Sequence, residues 1–394
     1  MKKKFACLAM AMVMVLSLAA CGSKKEEAPA AAPAESGSDS SVSAFKVGTI
    51  GPLSGDAAIY GQAVANGAKI AVEQINAAGG AIQFELQSQD DEADGEKSVN
   101  AYNTLMDWGM QVMVGPTTTG ASIAVSAQAN ADRTFMLTPS ASSVDVIDGK
   151  DNVFQVCFTD PNQGIASADY ISENMAGAKV AVIYRNDDAY SQGIRDTFVS
   201  EAADKGLEVV YEGTFTADTA TDFSVQLTGA QSAGADTVFL PIYYQPASVI
   251  LNQANAMGYE PTFFGVDGMD GILTMEGFDT SLAEGVMLLT PFSADAEDER
   301  TQTFVKAYQD QFGETPNQFA ADAYDAVYIY AAALEAAGCT ADMSTADICE
   351  ALVGVMTTIS VDGLTGQGMT WDASGAVSKA PMAVIIENGT YVLP

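Results

Sequence analysis

The 394-residue chain contains no histidine. Serine–histidine–acid triads, histidine general bases and histidine metal ligands are therefore excluded, which removes the commonest hydrolytic and metal-centred chemistries. Positive charge is scarce too: 17 Lys and Arg stand against 51 Asp and Glu, a net charge of −34. A field of that sign repels phosphates, so nucleic acid and anionic membrane surface are poor partners. Neither GKS nor GKT occurs, so the chain lacks that type of phosphate loop. Cysteine is limited to Cys7, Cys21, Cys157, Cys339 and Cys349, with no CxxC pair, so neither a redox nor a metal site is expected. No cofactor is implied.

What is present begins with a leader. Met1-Lys2-Lys3-Lys4 precedes an apolar run over 5–18 and the small residues Ala19-Ala20, an export signal rather than a membrane span. Leu18-Ala19-Ala20-Cys21 resembles a bacterial lipobox at all four positions. The resemblance implies a signal peptide over 1–20, cleavage before Cys21 and acylation of Cys21, leaving the protein tethered to the extracellular face of the cytoplasmic membrane. Loss of Lys2, Lys3 and Lys4 takes the net charge from −34 to −37. Residues 21–44 are almost all Ser, Lys, Glu, Ala, Pro, Gly and Asp, which cannot form a core and predict a flexible linker. Of the cysteines beyond Cys21, Cys157 is expected as a buried free thiol. Cys339 and Cys349 either form a local clip between two helices or stay separate.

From residue 45 onward strands and helices alternate. Strands are predicted over 45–50, 82–87, 112–114, 135–137, 180–184, 208–214, 238–241 and 262–266. Helices are predicted over 60–76, 99–108, 121–129, 165–174, 191–205, 223–233 and 247–257. Such alternation argues α/β architecture with parallel sheets, and the wholly apolar strands are those expected under helices on both faces. The alternation occurs twice, with a seam near Phe158-Thr159-Asp160-Pro161, and helices dominate the last third (301–312, 320–337, 346–356). The expected fold is two doubly wound parallel-sheet lobes joined by a hinge, with a ligand cleft between them. Lobe 1 is assigned to 45–159 and 291–376, and lobe 2 to 160–290 and 377–394. Ligands of open α/β sheets bind beyond the carboxyl ends of strands, which here face one another across the cleft.

Residues 112–142 organise this cleft. A short strand ends at Gly115-Pro116, three threonines (Thr117, Thr118, Thr119) precede a helix, and a second strand ends at Thr138-Pro139-Ser140-Ala141-Ser142. Hydroxyls and free N–H groups at a helix start suit a carboxylate. As plain helix caps the same residues would have no further role. Past other strand ends lie Tyr60, Tyr190, Tyr243 and Asp267. A hydroxyl cradle on one lobe and an isolated carboxylate on the other suit a zwitterion, with tyrosines as walls. No activated nucleophile accompanies them, so a binding site is expected rather than an enzyme.

The chain resembles the branched-chain amino-acid binding proteins, type I solute-binding lipoproteins of ABC importers. Gly51-Pro52-Leu53-Ser54-Gly55, Tyr60-Gly61, Gly79-Gly80, Asp90-Asp91, Gly115-Pro116, Thr138-Pro139-Ser140-Ala141-Ser142, Tyr190 with Gly193, Tyr243-Tyr244, Gly258-Tyr259 and Ala323-Tyr324-Asp325 carry the resemblance, in order and over nearly the whole chain after the linker. It implies the type I periplasmic-binding-protein fold, with Thr118, Thr119, Ser140, Ala141 and Ser142 around the ligand's carboxylate and amine. It also implies Asp267 on the ammonium, and Tyr60, Tyr190, Tyr243 and Tyr324 lining the cleft. The family often has Glu where this chain has Asp267, which leaves the ligand's identity open. The implied partners are a free amino acid, most simply Leu, Ile or Val, and an ABC permease, with the protein a lipid-anchored monomer. Another amino acid, an amide or a small aromatic acid is the alternative ligand, and sensing the alternative role.

Two acidic clusters are read as local structure. Asp90, Glu92 and Asp94 begin like a calcium loop, but the closing position is Ala101, so a solvated loop before the helix at 99 is expected. Asp295 to Glu299 is expected to favour the start of the next helix.

Overall fold

The computed structural model describes residues 43–394. The signal peptide, Cys21 and nearly all of the linker lie outside the described residues.

The first sheet is wholly parallel, in the order β2-β1-β3-β4-β5: β1 (Phe45–Gly51), β2 (Phe84–Asp90), β3 (Val112–Val114), β4 (Phe135–Thr138) and β5 (Val153–Gln155). Central strands β3 and β4 are completely buried, as the apolar runs require. Helices α1 (Ala58–Ala78), α2 (Gly95–Trp108) and α3 (Thr119–Asp132) connect successive strands.

After β5 the chain passes into a second sheet through α4 (Asp160–Asn174). This sheet runs β12-β11-β10-β9-β8-β6-β7, with α5, α6 and α7 as its crossovers. Its strands are β6 (Lys179–Arg185), β7 (Glu208–Phe215), β8 (Thr237–Leu240), β9 (Thr262–Gly265), β10 (Met287–Thr290), β11 (Met382–Glu387) and β12 (Thr390–Val392). The helices are α5 (Ala189–Lys205), α6 (Ser224–Ser232) and α7 (Tyr244–Met257). β6 to β10 are parallel, whereas β11 and β12 join as an antiparallel edge hairpin. None of β10, β11 and β12 is among the strands expected from sequence.

Between β10 and β11 the chain returns to the first lobe with α8 (Glu299–Phe312), α9 (Gln318–Ala337) and α10 (Thr345–Met356). α9 lies along α1 and α10 beside β4. The α1–α9 approach is close because position 67 has no side chain: a Cβ on Gly67 would stand 2.0 Å from the Ala320 carbonyl. The chain thus passes between the sheets three times, near Val156, Phe292 and Lys379. The last passage is held by a buried ion pair, Lys379 Nζ to Asp322 Oδ1 at 2.6 Å, with Thr365 Oγ1 also 2.6 Å from the ammonium.

Local capping explains where helix starts depart from expectation. α2 begins four residues early because Asp94 accepts from Lys97 N–H, and α4 five residues early because Thr159 caps it ahead of Pro161. The expected solvated loop over 90–95 is instead partly interior. Asp91 is fully buried, taking the Ser98 hydroxyl at 2.7 Å, while Asp90 takes Leu53 N–H and the Ser54 hydroxyl and so ties β2 to the loop after β1. Asp298 caps α8 with Glu299 in its first turn, as the second acidic cluster predicts. Cys157, Cys339 and Cys349 are buried free thiols, so the Cys339–Cys349 clip is not formed. No described helix is long and apolar enough to cross a membrane.

Candidate functional site

The carboxyl ends of the two sheets converge on a small cavity. Tyr60, Thr117, Thr118, Ser140 and Phe319 line it from the first lobe, and Tyr190, Tyr243, Asp267 and Gly268 from the second. Its free volume is about 10 Å³, space for a single water, so a larger occupant requires the tyrosines to swing or the lobes to part.

On the first lobe the two hydroxyl-bearing loops are bonded to each other. The Ser140 hydroxyl donates to the Thr117 carbonyl at 2.6 Å, and the Thr138 hydroxyl to the Pro116 carbonyl at 2.9 Å. Thr117 donates to the Ile50 carbonyl at 3.2 Å. Thr118 and Thr119 differ: both are buried, and neither hydroxyl has a hydrogen-bond partner. Thr118 stands at the N-cap of α3 yet makes no capping bond. The plain capping role therefore fails for both. Two buried unpaired hydroxyls beside the free N–H groups of a helix start are costly to the fold alone and complementary to an incoming carboxylate.

On the second lobe Asp267 opens a short helical turn after β9 and is 2% exposed. Burial pushes its pKa up to about 7, even though Tyr190 and other donors act to lower it. The Tyr190 hydroxyl donates to Asp267 Oδ1 at 2.5 Å and accepts from Gly268 N–H at 3.0 Å; Asp267 N–H donates to Gln163 Oε1 at 3.1 Å. No Lys or Arg lines the cavity, so no cation of the protein neutralises Asp267 there. Tyrosines complete the wall: the Tyr60 ring lies 5.3 Å from Tyr243 and 4.6 Å from Phe319, and Tyr190 4.9 Å from Tyr243.

Of the expected site residues, the structure brings Tyr60, Thr118, Ser140, Tyr190, Tyr243 and Asp267 to the cavity wall, while Thr119, the first residue of α3, is buried outside the lining. Ala141 and Ser142 lie behind the wall. Ala141 has its N–H on the Thr138 hydroxyl and its carbonyl on Gln155, and the Ser142 hydroxyl accepts from Gln163 at 3.4 Å. Tyr324 is not in the cleft. It donates to Gln74 Oε1 at 2.6 Å and packs on Phe304 and Tyr328. Five residues separate it from Phe319 on α9, which turns it about 140° around the helix and about 7.5 Å along it.

Sequence reasoning missed Phe319, Gln163 and Asp160. Asp160, in the first turn of α4, is 1% exposed with both carboxylate oxygens unpaired, and burial raises its pKa. Asp267 is thus not the only buried acid near the cleft. The Thr159 cap just after β5 was the available signal for Asp160 and Gln163, whereas Phe319 follows the Asn317 cap of a helix that starts from a helix-to-helix loop and carried none.

Two α/β lobes that close over a cavity with an anion cradle on one side and a buried carboxylate on the other define a binding protein for a small solute. The chain belongs to the periplasmic binding protein family, which it matches over residues 44–390. It is 32% identical over 301 residues to Leu/Ile/Val-binding protein homolog 3 of Brucella melitensis, covering 75% of this chain and 80% of that one. It is 30% identical over 303 residues to the Leu/Ile/Val-binding protein BraC3 of Rhizobium johnstonii, covering 75% and 80%. Among solved structures, the leucine-binding protein LivK of Thermotoga maritima superposes with a TM-score of 0.79 at 25% identity, over 89% of this chain and 97% of that one. The branched-chain amino-acid substrate-binding protein LivJ of Streptococcus pneumoniae, in complex with isoleucine, gives 0.78 at 30% identity, over 89% and 100%. The chain is a solute-binding protein of the branched-chain amino-acid ABC transport type.

Proposed function

We propose that this protein captures a free branched-chain amino acid, Leu, Ile or Val, between its lobes and delivers it to an ABC importer. One observation carries the reading: Asp267 is buried without a basic partner, opposite the unpaired hydroxyls of Thr118 and Thr119. An amino acid's ammonium and carboxylate supply what each side lacks. The ligand touches both lobes at once, and that differential contact drives closure. The lobes are assigned as 45–159 with 291–376, and 160–290 with 377–394. Cys21 is the site of lipid attachment, placing a monomer on the outer face of the membrane.

A small aromatic acid is the second reading, favoured by the wall of Tyr60, Tyr190, Tyr243 and Phe319. Such a ligand has no ammonium and leaves Asp267 unpaired, which ranks it below the amino acid. Titration calorimetry of the full chain tests both: Leu, Ile and Val should bind and benzoate should not. Asp267→Asn should cost several kcal/mol, as loss of one member of a buried pair does. Undiminished affinity of Asp267→Asn for leucine would sink the assignment.

A further inference from the structure

A second cavity, of about 440 Å³, lies on the far side of the turn that carries Asp267 and shares no lining residue with the cleft. Its wall is drawn from both lobes: the turn around Asp270, the crossing at Phe292, the α8–α9 loop at Glu314 to Asn317, and Tyr391 on β12. Its size falls within the range of small-molecule sites and far exceeds the few cubic ångströms of an ordinary packing defect.

The charges in the wall have one sign. Asp270, Asp295 and Glu314 line the cavity, and no Lys or Arg does. Asp295 and Glu314 are exposed, whereas Asp270 is 2% exposed and hence the innermost of the three. One oxygen of Asp270 is satisfied by Gln318 N–H at 2.9 Å; the other, Oδ1, has no partner. The Tyr391 hydroxyl is also buried and turned toward this carboxylate, with no other partner. A buried carboxylate oxygen facing a buried hydroxyl, with no partner beyond each other, leaves one acceptor for a charged donor and one flexible donor-acceptor once the hydroxyl turns away.

The chemistry narrows the occupant. An anion would meet three carboxylates and no cation. A bare metal ion is disfavoured, because no cluster of three acidic, Cys or His ligands among the described residues could hold one. What remains is an organic cation with a short apolar body, since Leu273, Phe292 and Pro316 give the wall apolar surface between polar residues such as Thr274, Ser293 and Asn317. We propose that this cavity is a second ligand site, for a small aliphatic amine whose ammonium binds Asp270 and Tyr391, with Asp295 and Glu314 drawing a further cationic end at the mouth. The Tyr391 side chain, on an edge strand, moves aside to admit the ammonium. Asp270 N–H donates to the Asp267 carbonyl, so the two sites share one turn of chain.

Putrescine is the probe, titrated calorimetrically into the full chain at fixed ionic strength, with butylamine and butyrate as controls. Wild type should bind one putrescine, butylamine more weakly and butyrate not at all. Asp270→Asn, which keeps an acceptor for Gln318, should weaken putrescine at least about tenfold, a loss of about 1.4 kcal/mol. The exposed double variant Asp295→Asn/Glu314→Gln, which threatens no buried contact, should weaken it about threefold, as exposed charges do. Asp267→Asn separates the sites: it should lose leucine and keep putrescine. Putrescine that binds nowhere, that binds both Asp270→Asn and the double variant as it binds wild type, that is lost in Asp267→Asn, or that is matched by butyrate overturns the proposal.

Discussion

The Tyr60 hydroxyl, on α1 of the first lobe, donates to the Gly268 carbonyl of the second and accepts from Tyr244 N–H at 3.2 Å. One phenol thus bonds two backbone groups across the cleft, and both lose their partner if the lobes part. Tyr60→Phe removes this latch while keeping the ring contacts. Leucine affinity is expected to fall about tenfold, chiefly through faster release, because unpaired buried groups cost about 1–3 kcal/mol each. Stopped-flow dissociation measures it, and an unchanged release rate would show that closure does not depend on the bond.

Thr118→Val and Thr119→Val separate binding from folding. Neither hydroxyl has a partner in the protein, so valine, of nearly the same shape, should leave unfolding free energy unchanged or slightly higher. Leucine affinity should fall about tenfold or more in each variant. Urea denaturation and calorimetry on the same samples give the two values.

Asp267 sets a pH dependence of definite sign. Its folded pKa of about 7 lies above the unfolded carboxylate value, so the folded protein holds a proton that the unfolded chain releases. Without ligand, the associated stability is fully present below about pH 4 and is lost as pH rises to about 7, a change on the order of 4 kcal/mol. Binding runs the other way: protonated Asp267 cannot counter an ammonium, so leucine affinity should drop up to about tenfold per pH unit below 7. The difference between wild type and Asp267→Asn across pH 4–8 checks both trends, since Asp160, also raised by burial, titrates in both proteins.

Lys379 and Asp322 are each 2% exposed at the side chain. Lys379→Met strands the carboxylate in the interior, with an expected loss of about 3–5 kcal/mol in urea denaturation. Adding Asp322→Leu should recover most of it, because the cost lies in the unpaired charge and not in the pair. A single variant as stable as wild type would mean that water reaches Asp322.

Gly67→Ala drives a methyl group into the Ala320 carbonyl and should destabilise by about 1–3 kcal/mol as α1 is pushed from α9. Gly120, on α3, has no atom within 4 Å of a would-be Cβ, so Gly120→Ala should be neutral or gain up to about 1 kcal/mol. Thermal denaturation distinguishes a contact effect from a general helix effect.

The parts of the fold that were legible are those whose burial leaves a periodic mark. β3, β4 and β8 are apolar on both faces, and the helices between them repeat at helical spacing. β10 is only Met-Leu-Leu-Thr, too short to distinguish from a turn of buried helix. The β11–β12 hairpin had its own signal, Asn388-Gly389 between apolar runs, which the helical last third conceals. At the cavity, the rule that ligands lie past strand ends points to Asp267, Tyr190 and Thr118, all of which line it. Asp160, Gln163 and Phe319 sit inside first helical turns, and only the meeting of the lobes aims them at one place. Tyr324 failed on helix phase, which cannot be fixed until one residue of α9 is known to face the cleft.

The hairpin formed by β11 and β12 bears on how the molecule is made. β10 pairs with β11 through Thr290 and Met382, so this edge of the second sheet stays open until residues 382–392 are in place. The first sheet is complete by Gln155, yet α9, which covers α1, starts only at Gln318. Before those segments dock, both half-built lobes expose apolar surface, and neither can close early. A chain truncated at any point before the hairpin should be sensitive to protease throughout, and one that includes residues 382–392 should be protected.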